Sequence, residues 1–361
     1  MIIELRGVDF INKGAELMLR AILEKTRERY PKAVITMQKG ANSNKEKLAQ
    51  NGIKFKLSTQ RSNRIGQLIP SFLRHFAGYY LDKEIDVVLD GSGFAFGDQW
   101  GAPYAERRMG AHIEKWHTQG KKIILLAQAF GPFESPDIKN VMEKIINNAD
   151  LIFTREEESD KYLKGVKDRD TIVQSPDFTN LITGILPSGF DPLTHQVAIV
   201  PNYKMVASKT SDENSYVSFL KHCIAQTIKL GLKPYFLIHE GVKDLDFALL
   251  VNKELESPIP VLQNDCPLQI KGIIGSTKFI ICSRFHGVVS ALSQGIPCVV
   301  TGWSHKYAML LKDYGFEEGL IANLSDFSSV DTLLAKLKDP DYRLNISSNL
   351  KKRAIYKNSG R

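Results

Sequence analysis

The sequence predicts an α/β protein of two doubly wound domains, each a parallel sheet with helices on both faces. Three observations carry this. The chain has 361 residues, more than one hydrophobic core usually supports, so two domains of roughly 150 to 200 residues are expected. Short apolar runs alternate with amphipathic stretches throughout, as in parallel strands joined by crossover helices. A stretch containing proline and glycine at 181–194 interrupts that rhythm.

In chain order, the runs at 2–5, 34–37, 86–90, 122–128 and 151–154 read as strands of the first domain, with 15–29 as a crossover helix. After the break, 197–200, 234–239, 259–262, 279–282 and 298–301 read as strands of the second. The domains are accordingly assigned to 1–185, expected on the acceptor side, and 195–361. The polar, basic segments 330–338 and 341–356 either close the second domain or cross back over the first. Ligands of open α/β sheets bind beyond the carboxyl ends of the strands, so the turns there matter most.

Hydrophobic residues make up 43% and charged residues 24% of the chain, ordinary for soluble proteins, and no run approaches the roughly 20 apolar residues a membrane-spanning helix needs. The first residues read as a strand and turn rather than a signal peptide, which predicts the cytoplasm. Four irregularly spaced cysteines, Cys223, Cys266, Cys282 and Cys298, suit neither a disulfide framework nor zinc and read as small buried hydrophobes. His112 and His117 do not share a helix face, and no metal site is expected. A net charge of +8 admits an anionic substrate, an acidic membrane face or nucleic acid. The absence of a long basic block and of any nucleic-acid-binding motif argues against the last.

The strongest local signal is Ser283-Arg284-Phe285-His286-Gly287, between the apolar run 279–282 and a helical run ending before Gly295. A strand-to-helix turn leaves backbone N–H groups and the positive helix end beside Arg284 and His286, which suits an anion. A plainer reading has Ser283 capping the helix, Arg284 in a surface salt bridge and His286 packed. Lys306, in Trp303-Ser304-His305-Lys306-Tyr307 beyond the next strand, is expected near His286. In the first half, Asn12, Gly14 and Glu16 open a helix, Gly91 and Gly93 follow a strand, and Gln128 leads into a Gly-Pro-Phe turn. Arg155 stands where the next helix begins and calls for a compensating anion, from protein or ligand. His239 and Glu240 end a strand of the second domain, in either a structural or a substrate-contact role.

Taken in order, the Asn-x-Gly-x-Glu start, the glycine turn, the Gly-Pro-Phe turn, Thr154-Arg155-Glu156-Glu157, Asp177 in Ser-Pro-Asp-Phe, and Ser-Arg-Phe-His resemble the polysaccharide pyruvyl transferase family across most of the chain. Gly91-Ser92-Gly93 departs from a more usual triple glycine, and Ala127-Gln128-Ala129 from a glycine-rich version. The resemblance implies two facing Rossmann-type domains of GT-B-like arrangement with a ligand cleft between them. It also implies transfer of a pyruvyl group from phosphoenolpyruvate to sugar hydroxyls as a ketal, with no cofactor. On the matching positions, it suggests Arg155, Arg284, His286 and Lys306 as the donor site. Ser283, in the same turn, is expected to join them, and His286, whose unperturbed pKa is about 6.5, is expected to be the acid/base. Asn12, Gly14, Glu16, Gly91, Gly93, Gln128, Asp177, His239 and Glu240 then line the acceptor side. The acceptor is expected to be a sugar or lipid-linked glycan. The basic, apolar segment 54–80 offers a peripheral contact with the inner membrane face, against the alternative of an ordinary core-packed helix. Competing classes are a GT-B glycosyltransferase using a nucleotide sugar and a non-catalytic carbohydrate-binding relative.

Overall fold

The structure is a computed structural model that describes residues 1–38, 45–207, 212–302 and 306–358. The chain divides into two compact units. The first comprises Met1–Ile11 and Ala15–Phe178, the second Asn12–Gly14 and Thr179–Arg361. The division at 178/179 precedes the 181–194 stretch.

The first unit contains strands β1 (Ile2–Arg6), β2 (Val34–Gln38), β3 (Lys54–Lys56), β4 (Tyr79–Tyr80), β5 (Val87–Asp90), β6 (Phe94–Phe96), β7 (Lys122–Phe130), β8 (Leu151–Thr154) and β9 (Ile172–Gln174). They pair in the order β4-β3-β2-β1-β5-β7-β8-β9, with β6 beside β7, and every pair is parallel. The order reverses at β1 and β5. Helix Lys13–Arg29 fills the first crossover, placing Met18, Leu19, Ile22 and Leu23 against Ile3 and Leu5.

The second unit contains β10 (Val197–Val200), β11 (Pro234–Ile238), β12 (Val261–Gln263), β13 (Phe279–Cys282) and β14 (Cys298–Val300). Their order is β12-β11-β10-β13-β14, again parallel, with the reversal between β10 and β13. All residues of β10, β11, β13 and β14 are buried, which is why these strands read as unbroken apolar runs. Two cores lie on opposite faces of this sheet, one around Phe219, Phe236 and Phe279, the other around Tyr235, Val288 and Leu311. Helices Phe327–Lys338 and Pro340–Asn358 pack within this unit, Leu334 and Leu337 in one core and Leu350 in the other.

Two sequence readings change. The 54–80 segment is not one core-packed helix: after β3 it forms helices Gln60–Gln67 and Ser71–Phe76, separated at Pro70. Of the cysteines, Cys223, Cys282 and Cys298 are buried free thiols, whereas Cys266 is half-buried.

Candidate active site

The reversal between β10 and β13 brings two turns together at the carboxyl ends of these strands, Pro201-Asn202 and Ser283-Arg284. Ser283 is not the helix cap. Arg284 occupies the N-cap position of helix Phe285–Ser293 and provides no side-chain cap. Ser283 is instead the centre of a buried network. Tyr216 donates its hydroxyl to Ser283 Oγ at 2.8 Å, and the Ser283 carbonyl accepts from Asn202 Nδ2 at 2.8 Å and from the Tyr307 hydroxyl at 2.9 Å. The Asn202 N–H donates to the Tyr216 oxygen at 3.1 Å. Each neutral bond of this kind contributes about 1 kcal/mol net, but breaking one strands a buried partner. The turn is therefore fixed from three elements.

Arg284 meets Asp244, in the first turn of helix Val242–Lys253. Nε donates to Oδ2 at 2.8 Å and Nη2 to Oδ1 at 2.5 Å, while the Tyr203 N–H donates to Oδ1 at 3.0 Å. Asp244 is 1% exposed, so this is a buried bidentate pair rather than a surface salt bridge. Its two hydrogen bonds fix the plane of the guanidinium.

His286 follows in the first turn of the helix, with its ring edge-on to Phe285 at 5.6 Å between centroids. Lys306, at the start of helix Lys306–Tyr314, holds its ammonium 5.0 Å from the centre of the Phe285 ring. Trp303, Ser304 and His305, which precede it, lie outside the described residues. His239, just past β11, is buried, and its imidazole is pushed down to about 3 by burial first, then by the charges of Arg284 and His286. It stays neutral near pH 7. Burial raises the Glu240 carboxyl, and Glu240 accepts the Lys13 N–H at 3.1 Å within the same unit. Gly14, also of this unit, leaves no room for a side chain: a Cβ there would overlap the Nδ1 of His286. The Asn12 side chain accepts the Gly14 N–H at 2.9 Å and shapes this turn. The Cys282 thiol is pushed up to about 12 by burial and is no nucleophile at neutral pH.

In the first unit, the corresponding reversal pairs the turns after β1 and β5. Gly7, at φ +78°, packs so tightly against Ser92 that a Cβ would lie 2.6 Å from its backbone. Gly91 and Gly93 fit similarly beside Val8 and Met18. Behind them lie Asp90 and Gln128, both fully buried, with Gln128 Nε2 donating to Asp90 Oδ1 at 3.1 Å and the Ser92 N–H donating to the same oxygen at 3.1 Å. Glu16, 2% exposed, accepts from Lys47 at 3.2 Å and Arg20 at 3.4 Å. Arg155 precedes the helix Glu157–Val166, and its compensating anion is protein: Nη1 donates to Asp177 Oδ2 at 3.2 Å, with both residues buried.

The sequence reading missed Asn202, Tyr216, Asp244 and Tyr307. Asn202 had a usable signal, since it follows a strand's carboxyl end. Asp244 looked like any acid in a helix's first turn.

The model of the family described as polysaccharide pyruvyl transferase matches residues 12–305. The chain belongs to that family. It is accordingly a transferase, and a pyruvyl transferase of polysaccharide biosynthesis by family. Among curated proteins, none is similar enough in sequence to count as a match. Solved structures with a similar fold include the Staphylococcus aureus MnaA–UDP complex, at 14% identity and TM-score 0.59, covering 98% of this chain and 92% of that one. Another is Anabaena HepE with UDP-glucose, at 15% identity and TM-score 0.59, covering 99% and 95%. A third is the UDP-GlcNAc 2-epimerase of Neisseria meningitidis bound to UDP-GlcNAc, at 12% identity and TM-score 0.57, covering 99% and 98%. At these identities the likeness establishes the fold, GT-B-like with two Rossmann-type units, and nothing about chemistry.

Proposed function

We propose that this pyruvyl transferase moves the pyruvyl group of phosphoenolpyruvate onto two hydroxyls of a sugar, in a cell-surface polysaccharide or its precursor, and releases phosphate. The observation that carries this reading is the Ser283–His286 turn: a rigid strand-to-helix corner that sets a fork-locked arginine two residues before a histidine at the second unit's switch point. Phosphoenolpyruvate carries a carboxylate and a phosphate, both matched by arginine and by helix N–H groups. Arg284, Lys306, the Ser283 turn and Arg155 are the residues this reading assigns to the donor.

His286 acts as acid and base. A proton added to the methylene carbon makes C2 electrophilic, and the first sugar hydroxyl adds there and gives up its proton. The second hydroxyl then displaces phosphate from C2, its proton leaving with the departing group, and the ketal closes. Cations beside the leaving phosphate stabilise the charge it takes away. No cofactor enters this balance. On the acceptor side the reading assigns Asn12, Gly14, Glu16, Gly91, Gly93, Gln128, Asp177, His239 and Glu240.

Phosphate released from phosphoenolpyruvate only when acceptor is present is the expected result. Release of UDP from a UDP-sugar instead would transfer the function to glycosyl transfer, a reading supported at fold level by the UDP-bound neighbours.

We place the protein in the cytoplasm, at the membrane's inner face, through the 54–80 segment. Among the described residues no helix is long and apolar enough to cross a membrane. Helix Ser71–Phe76 is anchored by buried Arg74, which donates to both oxygens of Glu84 at 2.6 and 2.9 Å. Charge holds it down, so its apolar side chains point away: Phe72 is 69% and Phe76 94% exposed, and Leu68, just past helix Gln60–Gln67, is 84% exposed. Arg61 and Arg64 add attraction to anionic lipid. The triple change Leu68→Asp, Phe72→Asp and Phe76→Asp is expected to abolish sedimentation with phosphatidylglycerol vesicles; unchanged sedimentation would remove the segment from any membrane role.

A further inference from the structure

The first unit contains a polar cavity that the chemistry above leaves unused. Its volume is about 620 Å³, and it lies among helix Gln60–Gln67, the turn Asp82–Glu84, helix Ala111–Thr118 and the ends of β2 and β3. Four basic side chains line it, Lys56, Arg64, Lys83 and Lys115, against a single carboxylate, Asp82.

That carboxylate is already committed. Lys56 donates to Asp82 Oδ1 at 3.0 Å, the Trp116 indole N–H donates to the same oxygen at 3.3 Å, and Lys115 and Lys121 lie 3.5 and 3.7 Å from Oδ2. Burial works against its charged form, yet the ammonium of Lys56 and its neighbours hold the carboxyl well below the usual range. Arg64 and Lys83 make no ion pair with a carboxylate among the described residues. Lys56 also donates to buried Glu4 at 2.7 Å, so the cavity's unneutralised charge rests on Arg64 and Lys83, beside the amides of Gln38, Gln67 and Gln119. Excess cation next to neutral hydrogen-bonding groups is what a phosphate attached to a polyhydroxylated body requires.

We infer that this cavity binds a glycosyl phosphate, with the phosphate on Arg64, Lys83 and Lys115 and the sugar hydroxyls on the glutamine amides. Helix Gln60–Gln67 supplies a cavity wall with Asn63, Arg64 and Gln67, while Ile65, 53% exposed, and the adjoining Leu68 face solvent. A lipid tail on the phosphate and a free glycosyl phosphate thus share one chemistry at this site. As an anchor for the acceptor the inference rests on the pyruvyl-transfer reading; as a binding site it does not.

The test titrates the full chain with glucose 1-phosphate, with glucose, and with glucose joined through phosphate to farnesol in phosphatidylcholine vesicles. It is repeated on the double variant Arg64→Glu, Lys83→Glu, whose melting temperature reports folding. Glucose 1-phosphate is expected to bind at least about tenfold more tightly than glucose, and the variant to lose at least about tenfold of that affinity at unchanged melting temperature. Tighter binding of the farnesyl conjugate, lost in the same variant, assigns the site to a lipid-linked ligand; equal binding of both phosphates, lost likewise, assigns it to a soluble one. Glucose 1-phosphate binding no tighter than glucose, or equally to variant and parent, overturns the inference. Titration needs no turnover, so a wild-type protein inert toward phosphoenolpyruvate would defeat the proposed function and leave the binding result standing.

Discussion

The two switch points of this molecule are built on the same topology and from opposite materials. In the first unit, the turns after β1 and β5 are glycines pressed together over Asp90 and Gln128, a neutral amide bonded to a carboxylate. In the second, the turns after β10 and β13 are tied by Tyr216, Asn202 and Tyr307 and carry Arg284, His286 and the neutral His239. The first lets a backbone come close; the second holds ionisable groups in fixed positions. The difference fits the proposed division, in which a hydroxylated acceptor meets glycine and amide and an anionic donor meets arginine and histidine.

That division can be broken most forcefully at His286. Replacing it with Ala is expected to lower kcat by about 10²- to 10⁴-fold at unchanged melting temperature, and near-normal turnover by the folded variant would remove the second switch point from the chemistry. Asp244→Ala leaves the half-buried Arg284 without its partner. Stability is expected to fall by about 3–5 kcal/mol in urea titration; a loss below about 1 kcal/mol would mean that Arg284 is held by something else.

His239 sharpens the comparison through pH. Its folded value of about 3 lies below the unfolded value near 6.5, so between those limits the unfolded chain binds one proton more. Its contribution to stability is complete above roughly pH 6.5 and is lost as pH falls towards the folded value, at about 1.4 kcal/mol per pH unit. His239→Gln is expected to flatten the urea-midpoint profile over that window, and an unchanged slope would show that His239 is not the group responsible. Gly14→Ala should lower kcat by about 10- to 100-fold by displacing the imidazole of His286, with kcat measured at saturating phosphoenolpyruvate. The smallest change is expected from Asp90→Asn, which keeps the oxygen that accepts from Gln128 and Ser92. Stability should stay within about 1 kcal/mol while the KM for acceptor rises, and a KM shift for phosphoenolpyruvate instead would erase the division between the two sites.

Much of the fold was legible because buried parallel strands are uninterrupted apolar runs, as in Val197–Val200 and Phe279–Cys282. β3 and β4 were not: Lys-Phe-Lys and Tyr-Tyr carry no period that three or two residues could reveal. Which side of 60–76 meets protein was not legible either, because a sequence shows amphipathicity without showing which face is covered. Here the Arg74–Glu84 pair decided the orientation. At the site, Arg284 and His286 could be found from their turn, but Asp244, 40 residues away, could not. Local chemistry announces a charged group; only the folded chain discloses what balances it.

That balance bears on how the protein turns over in the cell. On the proposed function, with Asp244 already opposing Arg284, the anionic donor meets at that residue a rigid hydrogen-bonding fork whose charge is largely cancelled. The share of donor affinity that Arg284 supplies should then vary little with ionic strength, and its grip on the phosphate left behind should be weak, so that accumulating product gains little from this residue in competing with fresh donor.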